Sequence, residues 1–321
     1  MNKPGNLSPN QRAWRRFCRN RPAAVASLLL AFLVSVVLIW PLFRMPALAP
    51  HLPLALTHPP DAISDAQFEP PGHEHWFGTD VHGRDLLSRV CYGARISLLV
   101  GLVGAAVSLV IGVLWGAIAG YCGGRWDGVM MRFVDVLYAM PSIIFVIVLL
   151  TALNAVLEKL QSGPHALSAA GGRFLQFAGL FAGLGAVSWL TMARIVRGQV
   201  LSLRHRAFVD ASRVLGASHA RIILRHILPN VYGVIIVYLT LTIPSIILYE
   251  SFLSYLGLGI QAPQASLGSL IASGAEQINS IRIYWWLIVY PGAALALTLL
   301  ALNFVGDGLR DAWDPRSENR D

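Results

Sequence analysis

Six times between Ala23 and Val305 the chain runs for about twenty residues with almost no charged side chain, at roughly 23–43, 96–118, 135–153, 174–195, 231–249 and 285–305. A helix of that length crosses the hydrocarbon layer of a bilayer, and in lipid every backbone N–H and C=O needs a partner within its own segment. The expected fold is therefore an all-α integral membrane protein of six transmembrane helices. Composition agrees, with 55% hydrophobic and only 13% charged residues. The fourth run is rich in glycine; Gly179, Gly183 and Gly185 lower its hydropathy but suit close packing inside a bundle.

The first run follows Arg12, Arg15, Arg16, Arg19 and Arg21 and lacks a small-residue cleavage site, so it reads as a retained anchor. With both termini inside, 18 of the 25 Lys and Arg residues fall on the cytoplasmic side, as the positive-inside rule requires. The resulting organisation is a basic cytoplasmic segment at 1–22, a first transmembrane helix at 23–43, and a periplasmic segment at 44–95. A five-helix core at 96–306 follows, carrying a large cytoplasmic loop at 199–230, and then a cytoplasmic tail at 307–321. Within 1–22, Trp14 and Phe17 lie three apart, which fits a short helix on the inner membrane face or a flexible tail. The net charge of +8 is an orientation signal with a contribution from anionic lipid headgroups. No interleaved aromatic and basic surface points to nucleic acid, and Cys18, Cys91 and Cys122 offer no disulfide framework.

Several chemistries lack their residues. A phosphate-binding loop would end in Lys-Ser or Lys-Thr, yet the lysines are Lys3 and Lys159, and Gly120, Gly123 and Gly124 read instead as a tight turn between spans two and three. Ser188, Ser245 or Ser254 as a protease nucleophile would need a histidine base, and no histidine falls within an expected span. An ion-coupled carrier keeps carboxylates at mid-membrane. Here Asp135 is expected at the inner start of the third span and Glu250 just past the end of the fifth. His73, Glu74, His75 and His82 form a weaker metal signal than a solvated polar loop. Pro141, Pro244 and Pro291 lie in or beside spans three, five and six, where each kinks a helix or marks simple irregularity.

The loop before the fifth span is unusual. It carries Phe208, Val209, Val214, Leu215, Ile222, Ile223 and Leu224 at roughly helical spacing, interrupted by Gly216, among Arg206, Arg213, Arg221 and Arg225. Helix, glycine turn and second helix, with Ser218 as a cap for the second piece, make a compact knob at 206–229 suited to a groove in another protein. An amphipathic hairpin on the lipid surface is the alternative. Where the fifth span meets the outer side, Tyr249, Glu250, Ser251, Ser254 and Tyr255 either line the mouth of a path through the bundle or pack the helix against the preceding loop.

The order Asp210-Ala211-Ser212, three residues, Gly216, nine residues and then a residue two before Leu228-Pro229 resembles the cytoplasmic signature of ABC importer permeases. Asp210 stands where glutamate is usual, Ser212 where a second alanine is usual, and His226 where many members have isoleucine. His75 to Asp80, Gly83 to Arg89, Tyr92 to Leu98, Gly120 to Asp127, Met192 to Gln199, Glu250 to Gly259 and Gly306 to Pro315 extend the likeness over most of 75–316. Together they resemble the C-type permeases of the peptide and nickel branch, most nearly the oligopeptide-permease C subunit.

That resemblance implies a non-enzymatic subunit that moves peptides by alternating access, with nickel or another small solute of the same branch as the alternative. It implies a second homologous permease, two cytoplasmic ATPases that carry ATP and Mg, and a periplasmic peptide-binding protein, with membrane lipid around the spans. The chain itself would bind no cofactor or metal. In the coupling loop, Gly216 would permit the turn, Ala211 close approach, and Asp210 a cap or an arginine pair. Arg206, Arg213, Arg221 and Arg225 would meet acidic ATPase surface, and Leu228-Pro229 would end the knob. Other readings are a membrane scaffold that recruits a partner without transport and an ion-coupled carrier. The segments 154–173 and 250–284 are expected as outer loops.

Overall fold

A computed structural model describes residues 9–44, 53–162, 169–260, 264–278 and 282–313. Among these residues the chain is almost wholly helical, and no strand forms beyond an isolated bridge between Thr79 and Asp85. The helices are α1 (Pro9–Arg19), α2 (Arg21–Ile39), α3 (Leu86–Cys122), α4 (Gly124–Ala139), α5 (Ser142–Ser162), α6 (Ala169–Leu203), α7 (Ala207–Val214), α8 (His219–Ile222), α9 (Leu228–Tyr255), α10 (Leu267–Glu276) and α11 (Trp286–Trp313). Four stretches of the described residues are long and apolar enough to cross a membrane: Arg21–Phe43, Leu86–Cys122, His219–Tyr255 and Trp286–Trp313. A fifth arises if the bent pair α4 and α5 makes one span.

The third expected span, 135–153, is not one helix. It breaks at Met140 and Pro141, where α4 and α5 meet at 90°. Proline supplies no N–H to the helix ladder and pushes the preceding residue out of helical space, and Met140 is extended (φ −79°, ψ 137°). Pro244 and Pro291, by contrast, lie inside continuous helices. The helix that carries the second expected span, 96–118, begins ten residues before it, at Leu86, directly after the turn at Gly83. The expected loop at 154–173 is mostly helix, since α5 runs to Ser162 and α6 begins at Ala169; residues 163–168 lie outside the described residues. The loop expected at 250–284 loses its first residues to α9 and contains α10. Ser266 caps α10 reciprocally with Ser269, the arrangement that satisfies two orphan N–H groups at once. Helix α11 carries the sixth span on to Trp313, into what was expected as tail.

The chain divides into two compact units. One comprises Met1–Ala23, Leu102–Ile246 and Gly306–Asp321, the other Ala24–Gly101 and Ile247–Val305. In the first, Ala117, Tyr121, Met192, Val196, Val200, Val209, Ile222, Ile227, Val231 and Ile235 form the main core. In the second, Val90, Ala94, Leu267, Leu270, Trp286 and Leu287 bury against one another. The segment before α3 folds onto the same unit: Phe68 stacks on Tyr284 at 4.1 Å, Phe77 on Tyr290 at 4.0 Å, and Trp286 Nε1 donates to the Thr79 carbonyl at 3.2 Å. Asp80 accepts from Arg84 Nε at 2.7 Å, whereas Asp85 turns to His75 Nδ1 at 2.9 Å. His75 is therefore buried and not part of a solvated loop.

Candidate functional site

After α6 the chain reaches Arg206 in extended backbone (φ −78°, ψ 145°) and enters α7. Val209 and Ser212 face inward, while Phe208, Asp210, Ala211, Arg213 and Val214 face outward. Gly216 then reverses direction at φ +78°, its N–H donating to the Arg213 carbonyl at 2.9 Å. A β-carbon there would touch nothing, so glycine is selected for its left-handed backbone and not for lack of room. Ser218 has the extended backbone of an N-cap but makes no side-chain capping bond; its carbonyl accepts from Ile222 N at 3.0 Å.

The expected end of the knob at Pro229 is not where the helix ends. Helix α8 passes through a widened turn, Ile223–Ile227, directly into α9, and Pro229 is that helix's second residue. Pro229 gives no N–H to the Arg225 carbonyl and its ring crowds that group, so a π-type turn accommodates it where a stop had been expected. Leu228 is half-buried and Pro229 exposed.

Three side chains fasten this element to the unit's core: Val209, Ile222 and Ile227 are fully enclosed among Ala117, Tyr121, Met192, Val196 and Val200. A polar tie adds to them. The Tyr121 hydroxyl at the end of α3 lies 2.9 Å from His219 Nδ1, and the Arg213 guanidinium stands 5.4 Å from the Tyr121 ring centre. Arg213 also pairs with Asp210 at 2.9 Å. Hydrogen bonding to Tyr121, with Asp210 assisting, holds the Arg213 guanidinium above its ordinary range. Outward, Arg206, Asp210, Ala211, Arg213, Gly216, Arg221 and Arg225 are all exposed, and Val214 and Leu215 at the tip are 88% and 87% exposed. The result is a seated projection that exposes two bare aliphatic side chains together with four arginines of the same segment. Such a surface binds an apolar groove with an acidic rim.

The second predicted cluster is arranged differently. Glu250 lies inside α9 and is completely buried, because the helix continues a turn and a half further than the apolar run suggested. Its carboxylate accepts from Ser254 Oγ at 2.6 Å and Ser97 Oγ at 3.3 Å. Ser97 Oγ in turn accepts from Leu267 N, and Ser254 Oγ from Ile260 N. Glu250 thus links α3, α9 and the start of α10. Ser251 is buried beside it, Tyr249 is half-buried and Tyr255 exposed, so the five residues do not share one surface. Ser97 and Ser266 belong to the network unforeseen; a serine inside an apolar run was the available signal for the first.

Other contacts were also missed. Arg197 of α6 holds Asp127 of α4 through Nε and Nη2, and Arg194 holds Asp135 at 2.8 Å while lying 3.9 Å over the Tyr138 ring. Helix α3 presents small residues every fourth position, at Gly112, Gly116 and Gly120, against Met192, Ala193, Arg197 and Val200 of α6. That spacing was legible as a helix-packing stripe.

Residues 112–319 match the family of binding-protein-dependent transport system inner membrane components, and residues 8–71 match the N-terminal TM domain of oligopeptide transport permease C. The chain is 46% identical over 306 residues to the oligopeptide transport system permease protein OppC of Escherichia coli (strain K12), covering 95% of this chain and 91% of that one. It is 42% identical over 314 residues to the dipeptide transport system permease protein DppC of Bacillus subtilis (strain 168), covering 98% and 88%. Among solved structures, an inward-facing form of the MetNI methionine ABC transporter superposes with a TM-score of 0.53 at 16% identity, over 71% of this chain and 97% of that one. At that identity the likeness speaks to the fold alone.

Proposed function

The chain belongs to the family of binding-protein-dependent transport system inner membrane components, and on that footing we propose that it is the permease subunit of an ATP-driven importer of oligopeptides or dipeptides. In this reading six helices cross the inner membrane with both termini in the cytoplasm. A second, related permease completes the path, and an outer binding protein delivers the peptide. Two cytoplasmic ATPases hold ATP and Mg and supply the work.

The observation that carries the mechanical part is the exposure of Val214 and Leu215 on a projection anchored by Val209, Ile222 and Ile227. Large aliphatic side chains on a rigid soluble turn have no stabilising role in the chain that bears them, so a partner surface is the economical account. Arg206, Arg213 and Arg221 are exposed on the same segment and favour an acidic surface on the ATPase. When nucleotide brings the two ATPases together, the seated knobs move with them, and α6 and α9, continuous with the knob on either side, transmit the displacement to the bundle. The path residues proposed are Glu250, Ser251 and Ser254, with Tyr249 and Tyr255 beside them, exposed to solute only in an arrangement that opens the α9 and α10 contact.

Co-purification tests the assignment. The full chain should bring down ATPase subunits, and a Val214→Asp, Leu215→Asp variant should release them while remaining in the membrane. Retention of the ATPases by that variant, or their absence from the native preparation, would overturn the reading.

A further inference from the structure

The knob has two covalent attachments. On one side α6 ends at Leu203, and three residues outside any helix, Arg204 to Arg206, lead into α7; on the other, α8 runs through the widened turn at Ile223–Ile227 into α9. Two attachments define an axis, and a body held only there pivots about it. The apolar contacts of Val209, Ile222 and Ile227 resist separation but have no direction of their own. A contact with a preferred angle, made away from both joints, is what stops rotation.

The inner end of α3 supplies it. Gly112, Gly116 and Gly120 pack α3 on α6, so the two helices make one wall. Tyr121, the next residue, is buried, and its hydroxyl is hydrogen-bonded at 2.9 Å to Nδ1 of His219, the first residue of α8. Its ring meets the His219 ring edge-on at 5.6 Å and lies 5.4 Å from the Arg213 guanidinium of α7, so one side chain of the wall touches both helices of the knob. The joint after α6 is braced at the same level. Arg204 Nη1 donates to the Gly120 carbonyl at 3.4 Å, and the same guanidinium fills the space where a β-carbon on Gly123 would stand. A cation is favoured there, because the last carbonyls of α3 have no partner within the helix.

We propose that Tyr121 is a positioning residue for transport, the point that stops the knob pivoting between α6 and α9 and makes it turn with the wall of α3 and α6. The proposal rests on the reading of the knob as the seat of the ATPase. It separates two duties within the segment: Val214 and Leu215 hold the partner, and the bond between Tyr121 and His219 passes the partner's displacement to the wall. Without that bond the ATPases stay docked and hydrolyse ATP, while the knob swings and less of each stroke reaches the bundle.

The test uses the full chain assembled with its partner permease, ATPase subunits and binding protein in proteoliposomes. The quantity read is the uptake, per ATP hydrolysed, of a radiolabelled tripeptide that the native assembly imports. A ratio does not depend on how much of the assembly folds, so a merely structural loss leaves it alone. Tyr121→Phe keeps the ring and its packing and removes the hydroxyl. His219→Ala removes the other partner at an exposed position, and His219→Asn puts a polar atom back where Nδ1 stood. The ratio should fall about fivefold for Tyr121→Phe and for His219→Ala, the factor that one hydrogen bond of ordinary strength supplies, and the double variant should be no worse than either single. His219→Asn should recover most of the ratio, and every variant should retain the ATPases on purification. A native ratio in Tyr121→Phe with the ATPases bound would overturn the proposal and leave the docking assignment standing. So would effects that add in the double variant, or a His219→Asn variant no better than His219→Ala. Loss of the ATPases from Tyr121→Phe would make the residue part of the docking surface and overturn the proposal equally. ATPases absent from the native preparation would overturn the docking assignment itself, and this proposal with it.

Discussion

Arg197 on α6 and Asp127 on α4 form a forked pair, with Arg197 Nη2 2.6 Å from Asp127 Oδ2 and Nε bonded to the other carboxylate oxygen. The geometry matches the planar guanidinium to the planar carboxylate and fixes one helix against another at two points. Asp127→Asn keeps the size but loses the charge and one acceptor. It should cost about 1–2 kcal/mol, the partly exposed end of the range for such pairs, and lower the melting temperature in detergent by a few degrees. Arg197→Lys should recover only part, because an ammonium cannot donate two parallel bonds. An unchanged melting temperature in both variants would remove this pair from the forces that hold α4.

Gly216 separates a backbone requirement from a steric one. Its φ of +78° strains any residue with a β-carbon, yet nothing lies near enough to clash. Gly216→Asn should cost about 1 kcal/mol or less, since asparagine tolerates the left-handed region, whereas Gly216→Val should cost about 1–3 kcal/mol locally and distort the tip. Peptide uptake driven by ATP in reconstituted vesicles is expected to be near native for the first and strongly reduced for the second, with membrane insertion unaffected in both. Equal uptake by the two would show that the turn's conformation does not matter to coupling.

Inside and outside of the knob should respond oppositely to substitution. Ile222→Ala opens a cavity in a fully packed core and should cost about 2–4 kcal/mol, read as a lower melting temperature. Leu215→Asp, at an 87% exposed site, should leave the melting temperature within about a degree while abolishing ATPase retention. The two readouts on the two variants separate an anchored docking element from a merely solvated loop.

The carboxylate of Glu250 accepts from serine hydroxyls on two helices, Ser97 of α3 and Ser254 of α9. Glu250→Gln preserves shape and part of the hydrogen bonding, whereas Glu250→Ala leaves Ser97 and Ser254 without their acceptor in a buried place. The alanine variant should lose about 1–3 kcal/mol more than the glutamine variant, and its α10 should become more susceptible to protease. If Glu250 also meets the peptide, the glutamine variant should show altered uptake at native stability; uptake equal to native would confine the residue to seating α10.

Gly116 sits where a β-carbon would run into the Ala193 carbonyl of α6. Backbone cannot move aside as a side-chain tip can, so Gly116→Leu should separate α3 from α6 and abolish folded protein, detected as loss of a monodisperse peak. Gly128, with open space around its own virtual β-carbon, is the internal comparison, and Gly128→Ala should be neutral or slightly stabilising within its helix.

Four of the six expected runs were legible as helices long enough to span a membrane, because apolar length is a local property, and so was the projecting turn, because aliphatic residues around Gly216 in a basic loop violate what a plain connection needs. Where the reading went astray, a residue's meaning depended on something distant in sequence. Pro141 breaks its helix while Pro244 and Pro291 do not, although all three look alike in their runs. Glu250 appeared to end a span, since a carboxylate is costly among apolar neighbours; Ser97, 153 positions earlier, helps offset that cost and lets α9 continue.

Hydrophobic run length and the glycine at 216 determined on their own that this chain is a helical membrane protein bearing a protruding turn, because each acts through the chain's immediate surroundings. Tertiary structure alone decided which polar groups are satisfied and by whom: that Tyr121 meets His219, that Arg197 grips Asp127, that Ser97 and Ser254 donate to Glu250. Hydrogen bonds and ion pairs have a reach of about 3 Å, and only the folded chain brings partners from separate helices within it.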